Sequence, residues 1–127
     1  MDDALRAELV ANYIDSYNRF DIEGMARLLS DDVCFENHSA GEQSHGTRGI
    51  AEFVSLATAS KALFAEREQR VTALRFAPES VVATIAFRGR LATDMAGGPA
   101  AGTVIEMAGT SRIFFTDGLI SKVVDES

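Results

Sequence analysis

Tyr13, Asn37, His38, Ser111 and Asp125 carry the groups in this chain best suited to moving a proton or holding an oxygen. Asp125 follows Val123 and Val124 in the run LISKVVDES. If that run alternates as a strand, Asp125 shares a face with Val123 and points inward. Burial there would raise its pKa into the range of a useful general acid or base. If it does not, Asp125 is a solvated carboxylate. Asn37 closes the run VCFEN, and its amide cannot accept a proton near neutral pH. It can orient a ligand oxygen, or simply bond neighbouring backbone at a strand end. Tyr13 and Tyr17 fall on an apolar helix face, where a phenol either packs in a core or donates to a ligand.

His38 and His45 flank a polar stretch, HSAGEQSHG, with Glu36 and Glu42 nearby. Their spacing matches no metal-ligand motif, so no metal is expected. His38 remains a candidate acid or base at a pocket mouth. Arg67 and Arg70 can reach a ligand carboxylate or phosphate, or pair with Glu66 and Glu68.

These side chains need elements to position them. Asp2 and Asp3 suit a helix start, and Leu5, Leu9, Val10, Tyr13, Ile14 and Tyr17 recur at three- and four-residue spacing. The pattern predicts a helix to about Phe20. Asp21 then caps a shorter helix with Ile22, Met25, Leu28 and Leu29 inward. Residues 33–37 read as a short strand, with Cys34 a buried structural thiol, and 38–46 as a polar loop. Thr47 caps a third helix with an Ile50, Phe53, Val54, Ala57 stripe. Beyond Phe64 the period changes to two. Strands are predicted over 67–76, then through Val81, Ala83, Ile85 and Phe87, which share one face. After the connection DMAGGPAAG, a strand places Ile105, Met107, Ser111, Ile113 and Phe115 on one face. Asp117-Gly118 turns into a last strand over 119–125. Helices segregated from a run of hairpin strands define an α+β domain.

The chain's length suits one domain, residues 1–127, with a core that needs no staples. A net charge of −7, with its basic residues scattered, argues against a nucleic-acid partner. No run approaches a membrane span or signal peptide. The single cysteine forbids an internal disulfide and fits the cytoplasm.

The segments RFDIEGMARLLSDDVCFEN, GTRGIAEF and IFFTDGLISKVVDES, taken in order, resemble the nuclear transport factor 2-like superfamily, and its SnoaL-like proteins in particular. The resemblance implies a cystatin-like cone: three N-terminal helices packed on a curved, mostly antiparallel sheet around a small-molecule pocket. Compared with ketosteroid isomerase, Tyr13 matches the oxyanion tyrosine. The general-base aspartate corresponds to Asn37, and the second oxyanion carboxyl to Ser111, so steroid isomerisation is not expected. Compared with limonene-type epoxide hydrolases, Asn37 and Asp125 match, but the arginine and second aspartate correspond to the apolar Ile85 and Phe87.

The resulting expectation is a cofactor-independent, metal-free site for a small apolar organic ligand. Asp125 or His38 would move a proton, and Tyr13 with Asn37 would hold an oxyanion. Asn37, Ser111, Phe35, Phe53, Phe87, Ile113 and Phe115 would contact the ligand. The chemistry would be that of an isomerase, cyclase, hydratase or hydrolase. The alternative is a non-catalytic binding or dimerisation module whose phenylalanines fill its own cavity. Arg88, Arg90, Glu106 and Arg112, beside Val104 and Phe114 on the opposite sheet face, suit a homodimer contact.

Overall fold

Asp2 starts the first helix. Its carboxylate accepts the Leu5 backbone N–H at 2.7 Å, satisfying an amide that a helix N-terminus leaves free. In the computed structural model, which describes all 127 residues, α1 (Asp3–Asn18) buries Leu9, Val10, Tyr13 and Ile14 along one stripe. It ends in a turn where the Asp21 N–H reaches the Ser16 carbonyl at 2.9 Å and Phe20 adopts a φ of 59°. Glycine is the usual residue in that left-handed position, and any other costs about 1–2 kcal/mol. Asp21 then caps α2 (Ile22–Ala26), accepting from the Gly24 N–H at 2.8 Å, and α2 buries Met25.

The chain continues as β1 (Leu29–Ser39), β2 (Glu42–Arg48), α3 (Ile50–Lys61), β3 (Phe64–Phe76), β4 (Ser80–Leu91), β5 (Val104–Thr116) and β6 (Leu119–Glu126). The strands form one sheet in the order β2-β1-β6-β5-β4-β3, antiparallel throughout except for the β1–β6 pair. Alternation along β4 is clean: Val81, Ala83 and Ile85 are buried while Thr84 and Arg88 are exposed. Their inward face meets Val10, Ile14, Leu29, Val33, Ile113 and Val123 in a single core. α1 packs on β3 near one edge of the sheet, and α3 packs on β1 and β2 at the other. With α2 touching α1, α3 and β1, the helices close one side of the curved sheet.

Three local expectations are corrected. Residues 42–48 form β2 rather than a loop, paired with β1 from Cys34↔Arg48 to Ser39↔Glu42. β2 is an edge strand with nearly every residue exposed, so it lacks the apolar alternation that reveals a strand. Thr47 therefore belongs to β2 and does not cap α3. Gly49 occupies that cap with a φ of 84°, a conformation glycine adopts without penalty, and its N–H is held by the Val33 carbonyl at 2.8 Å. Cys34 is only half-buried, because Val33 takes the inward position and alternation turns the thiol outward.

Candidate functional site

Strand register aligns four polar residues in one lateral row. His45 on β2 sits opposite Asn37 on β1, Asn37 opposite Asp125 on β6, and Asp125 opposite Ser111 on β5. Directly paired residues share a sheet face. All four line a cavity of about 540 Å³ between the sheet and the helices, within the range of small-molecule sites.

Asp125 is the ionisable centre of the row. The Ser111 hydroxyl donates to its Oδ1 at 2.6 Å, and no other protein side chain bonds the carboxylate. Burial pushes its pKa up to about 6, with the Ser111 hydrogen bond pulling the other way. It is therefore poised to exchange a proton near neutral pH. Asn37 donates through its amide nitrogen to Ser44 Oγ at 2.8 Å, which leaves its carbonyl oxygen free of side-chain partners.

α1 supplies Tyr13 to the cavity wall, 6% exposed, its hydroxyl bonded to no protein atom. Burial and the nearby Asp125 raise the phenol far above its ordinary pKa, so it remains protonated as a hydrogen-bond donor. Arg67 joins from β3. It is 6% exposed, and its Nε donates to the Tyr17 carbonyl at 3.0 Å. Its guanidinium lies 3.7 Å from the Tyr17 ring centroid and 4.5 Å from that of Phe20. Burial lowers its pKa while Tyr17 and Tyr13 oppose the shift, and a guanidinium stays charged in any case.

The walls are apolar. Phe35 meets Phe53 edge to face with centroids 6.1 Å apart, and Phe64 meets Phe87 at 5.5 Å. The rings stand along the sides and leave the cavity open.

Of the residues singled out in the sequence, Tyr13, Asn37, Ser111, Asp125, Phe35, Phe53 and Phe87 come together around this space. His38, Ile113 and Phe115 do not. Because Asn37 faces the cavity, alternation turns His38 to the outer face, where its Nε2 lies 2.9 Å from Glu36 Oε1. That contact and Lys122 hold the Glu36 carboxyl below its ordinary pKa. β5 borders the cavity only along residues 107–111. Farther on, Ile113 is wholly enclosed in the core and Phe115 packs against it. His38 and His45 lie on opposite sheet faces and cannot share a ligand.

Arg67, open from sequence alone between a ligand and an ion pair, lines the cavity, as do Gln69, Leu56 and Met107, which carry no such signal by themselves. Gln69 is two residues from Arg67 on the strand, so alternation alone would have found it once Arg67 was placed. His45 was hidden by the failure to recognise β2.

The SnoaL-like domain profile matches residues 10–123. No curated protein matches the chain significantly. Among solved structures, the chain is similar to a proposed polyketide cyclase from Xanthomonas campestris pv. campestris. The two share 23% identity and a TM-score of 0.84, covering 98% of this chain and 90% of that one. It is also similar to a protein with a ketosteroid isomerase-like fold from Catenulispora acidiphila, in complex with trimethylamine. There the identity is 14% and the TM-score 0.76, over 93% and 83% of the two chains. A cystatin-fold protein from Novosphingobium aromaticivorans aligns at 17% identity and a TM-score of 0.74, over 93% and 94%. At these identities the likeness establishes the α+β cone and leaves the activity to the site itself.

Proposed function

Because the chain belongs to the SnoaL-like domain family, we propose that its cone binds a small, mainly apolar carbonyl compound and moves a proton on it without a cofactor. One observation carries this reading: a carboxyl with a pKa near 6 shares an apolar-walled cavity with an unpartnered phenol. Such a pair suits proton abstraction next to a carbonyl. Asp125 takes the proton from the carbon, the C–H electron pair forms the C=C bond, and the carbonyl π pair moves onto oxygen. Tyr13 donates a hydrogen bond to that oxyanion, and the free Asn37 carbonyl helps orient the ligand.

The enolate then has two fates. Where a further C=C conjugates with the enolate, return of the proton from Asp125 to the far carbon of that dienolate gives isomerisation. Attack of the enolate carbon on a second carbonyl of the same molecule closes a ring, and the Asp125 proton passes to the new alkoxide. The second fate needs no co-reactant and matches the cyclase chemistry proposed for the Xanthomonas relative. The open cavity favours ligand binding over the alternative of a module plugged by its own phenylalanines.

Deuterium exchange at the α-carbons of 2-tetralone in D₂O near pH 7 tests this directly. The wild type should accelerate exchange at least tenfold over buffer, and Asp125→Asn should return it to background. Equal exchange by the two proteins would rule out Asp125 as the base.

For assembly, the outer face of β4 and β5 is the proposed homodimer contact. Its charges are largely paired within the chain, as in Arg88–Glu106 at 3.5 Å and Arg90–Glu66, leaving Val104, Ala108 and Thr110 exposed between them. A monomeric mass by light scattering at micromolar concentration would remove this assignment. The unpaired thiol of Cys34 supports a cytoplasmic location.

A further inference from the structure

Arg67 is a buried cation with no carboxylate partner. The other buried arginine, Arg6, pairs with Asp3 and donates to the Ala77 carbonyl at 2.8 Å. Arg67 donates from Nε to the Tyr17 carbonyl and also bonds the Tyr17 side chain. No carboxylate or carbonyl pairs with its terminal nitrogens, and the residue lines the cavity. A buried charge without an opposite charge is costly, and a guanidinium not taken up by a carboxylate presents the fork that carboxylates accept in bidentate fashion.

The surroundings hold that fork in place. The Tyr17 and Phe20 rings pack close to the guanidinium, at 3.7 Å and 4.5 Å. Phe20 does so from a left-handed backbone position where glycine would be free of strain. The turn thus keeps an aromatic ring against Arg67 at a conformational cost. The remaining charged groups around the cavity are Asp125 in the polar row, and Glu126 and His45, both exposed. None of these forms an ion pair with Arg67.

We propose that Arg67 anchors a carboxylate on the ligand, so that the site takes an organic acid: an apolar, ring-sized body lying along Phe53 and Phe87, with a carboxylate held by the two terminal nitrogens of Arg67. This rests on the reading of the cone as a small-molecule site and specifies its substrate class. The carboxylate fixes the molecule at the β3 wall, and the body extends toward the row that contains Asp125.

Calorimetric titration of the wild type with 2-naphthoate and with methyl 2-naphthoate, near pH 7 at low salt, tests the proposal. The two share a ring system and differ in charge. The acid should bind at least tenfold more tightly, and the advantage should shrink in high salt. Arg67→Gln, checked for folding by circular dichroism, should reduce the advantage to near unity while retaining ester binding. If that variant fails to fold, the wild-type comparison still decides. Equal or tighter binding of the ester overturns the anchor and leaves the small-molecule reading standing. Binding of neither compound overturns both. An advantage for the acid that survives intact in folded Arg67→Gln removes Arg67 as its source.

Discussion

Ser111 and Asp125 face each other across the β5–β6 pair, with the hydroxyl donating to the carboxylate at 2.6 Å. This contact favours the ionised form and opposes the effect of burial. Ser111→Ala should therefore raise the Asp125 midpoint above about 6, read from carboxyl carbon shifts in a pH titration. A midpoint that falls or stays fixed would show that the hydroxyl does not tune the group.

The same shift makes stability depend on pH. The folded pKa of Asp125 lies above the ordinary carboxyl value, so between about pH 4 and 6 the folded chain keeps a proton that the unfolded chain has lost. The contribution is fully favourable below this window and is lost as pH rises through it. Asp125→Asn keeps an acceptor for Ser111 and removes the charge. At about 1.4 kcal/mol per pH unit between the two pKa values, the variant should gain up to about 3 kcal/mol over wild type at pH 8 and little at pH 4. Taking the difference between the two proteins cancels the opposite slope expected from Glu36, whose pKa is lowered. Urea unfolding at both pH values measures it, and an equal difference at each would contradict the burial of a charge at this site.

Tyr13→Phe removes a hydroxyl that has no protein partner, so the fold should change by less than about 1 kcal/mol. Binding of 2-tetralone should weaken about 3- to 10-fold, the scale of one net hydrogen bond. Thermal melts and calorimetry separate the two effects. Unchanged binding would take Tyr13 out of the site.

Gly109 passes close beside the end of β6. A Cβ there would overlap the Glu126 carbonyl oxygen, a backbone atom with little freedom to withdraw. Gly109→Ala should destabilise the fold by about 1–3 kcal/mol and move the adjacent Asp125. A stable variant with an unaltered Asp125 titration would show that the strand end adapts freely.

His38→Gln should leave ligand affinity within twofold of wild type, because His38 is bonded to Glu36 on the outer face. Calorimetry with 2-tetralone checks this, and a tenfold loss would place His38 at the site after all.

Residues with a strong local period are legible in the sequence. The α1 stripe placed Tyr13 on the inward face, and the β4 alternation ordered Val81, Ala83 and Ile85 correctly. Sharing a face with Val123 left Asp125 either inward or solvated, and the fold turns it to the cavity. What escaped depended on tertiary partners. β2 is wet on both faces and carries no period, so His45 stayed hidden while its neighbour in sequence reasoning, His38, was given its place. The depth of Arg67 comes from the Tyr17 carbonyl, fifty residues away in the chain, and no local pattern reports such a contact. Ile113 and Phe115 alternate as expected, but periodicity does not say where along a strand a cavity stops.

Asp125 exchanges a proton inside a ligand cavity if the proposed function is right. Its carboxyl carbon resonance, assigned by comparison with Asp125→Asn, should titrate near pH 6 in the free protein and shift its midpoint when 2-tetralone is saturating. A resonance that titrates near 4 and ignores the ligand would contradict the account.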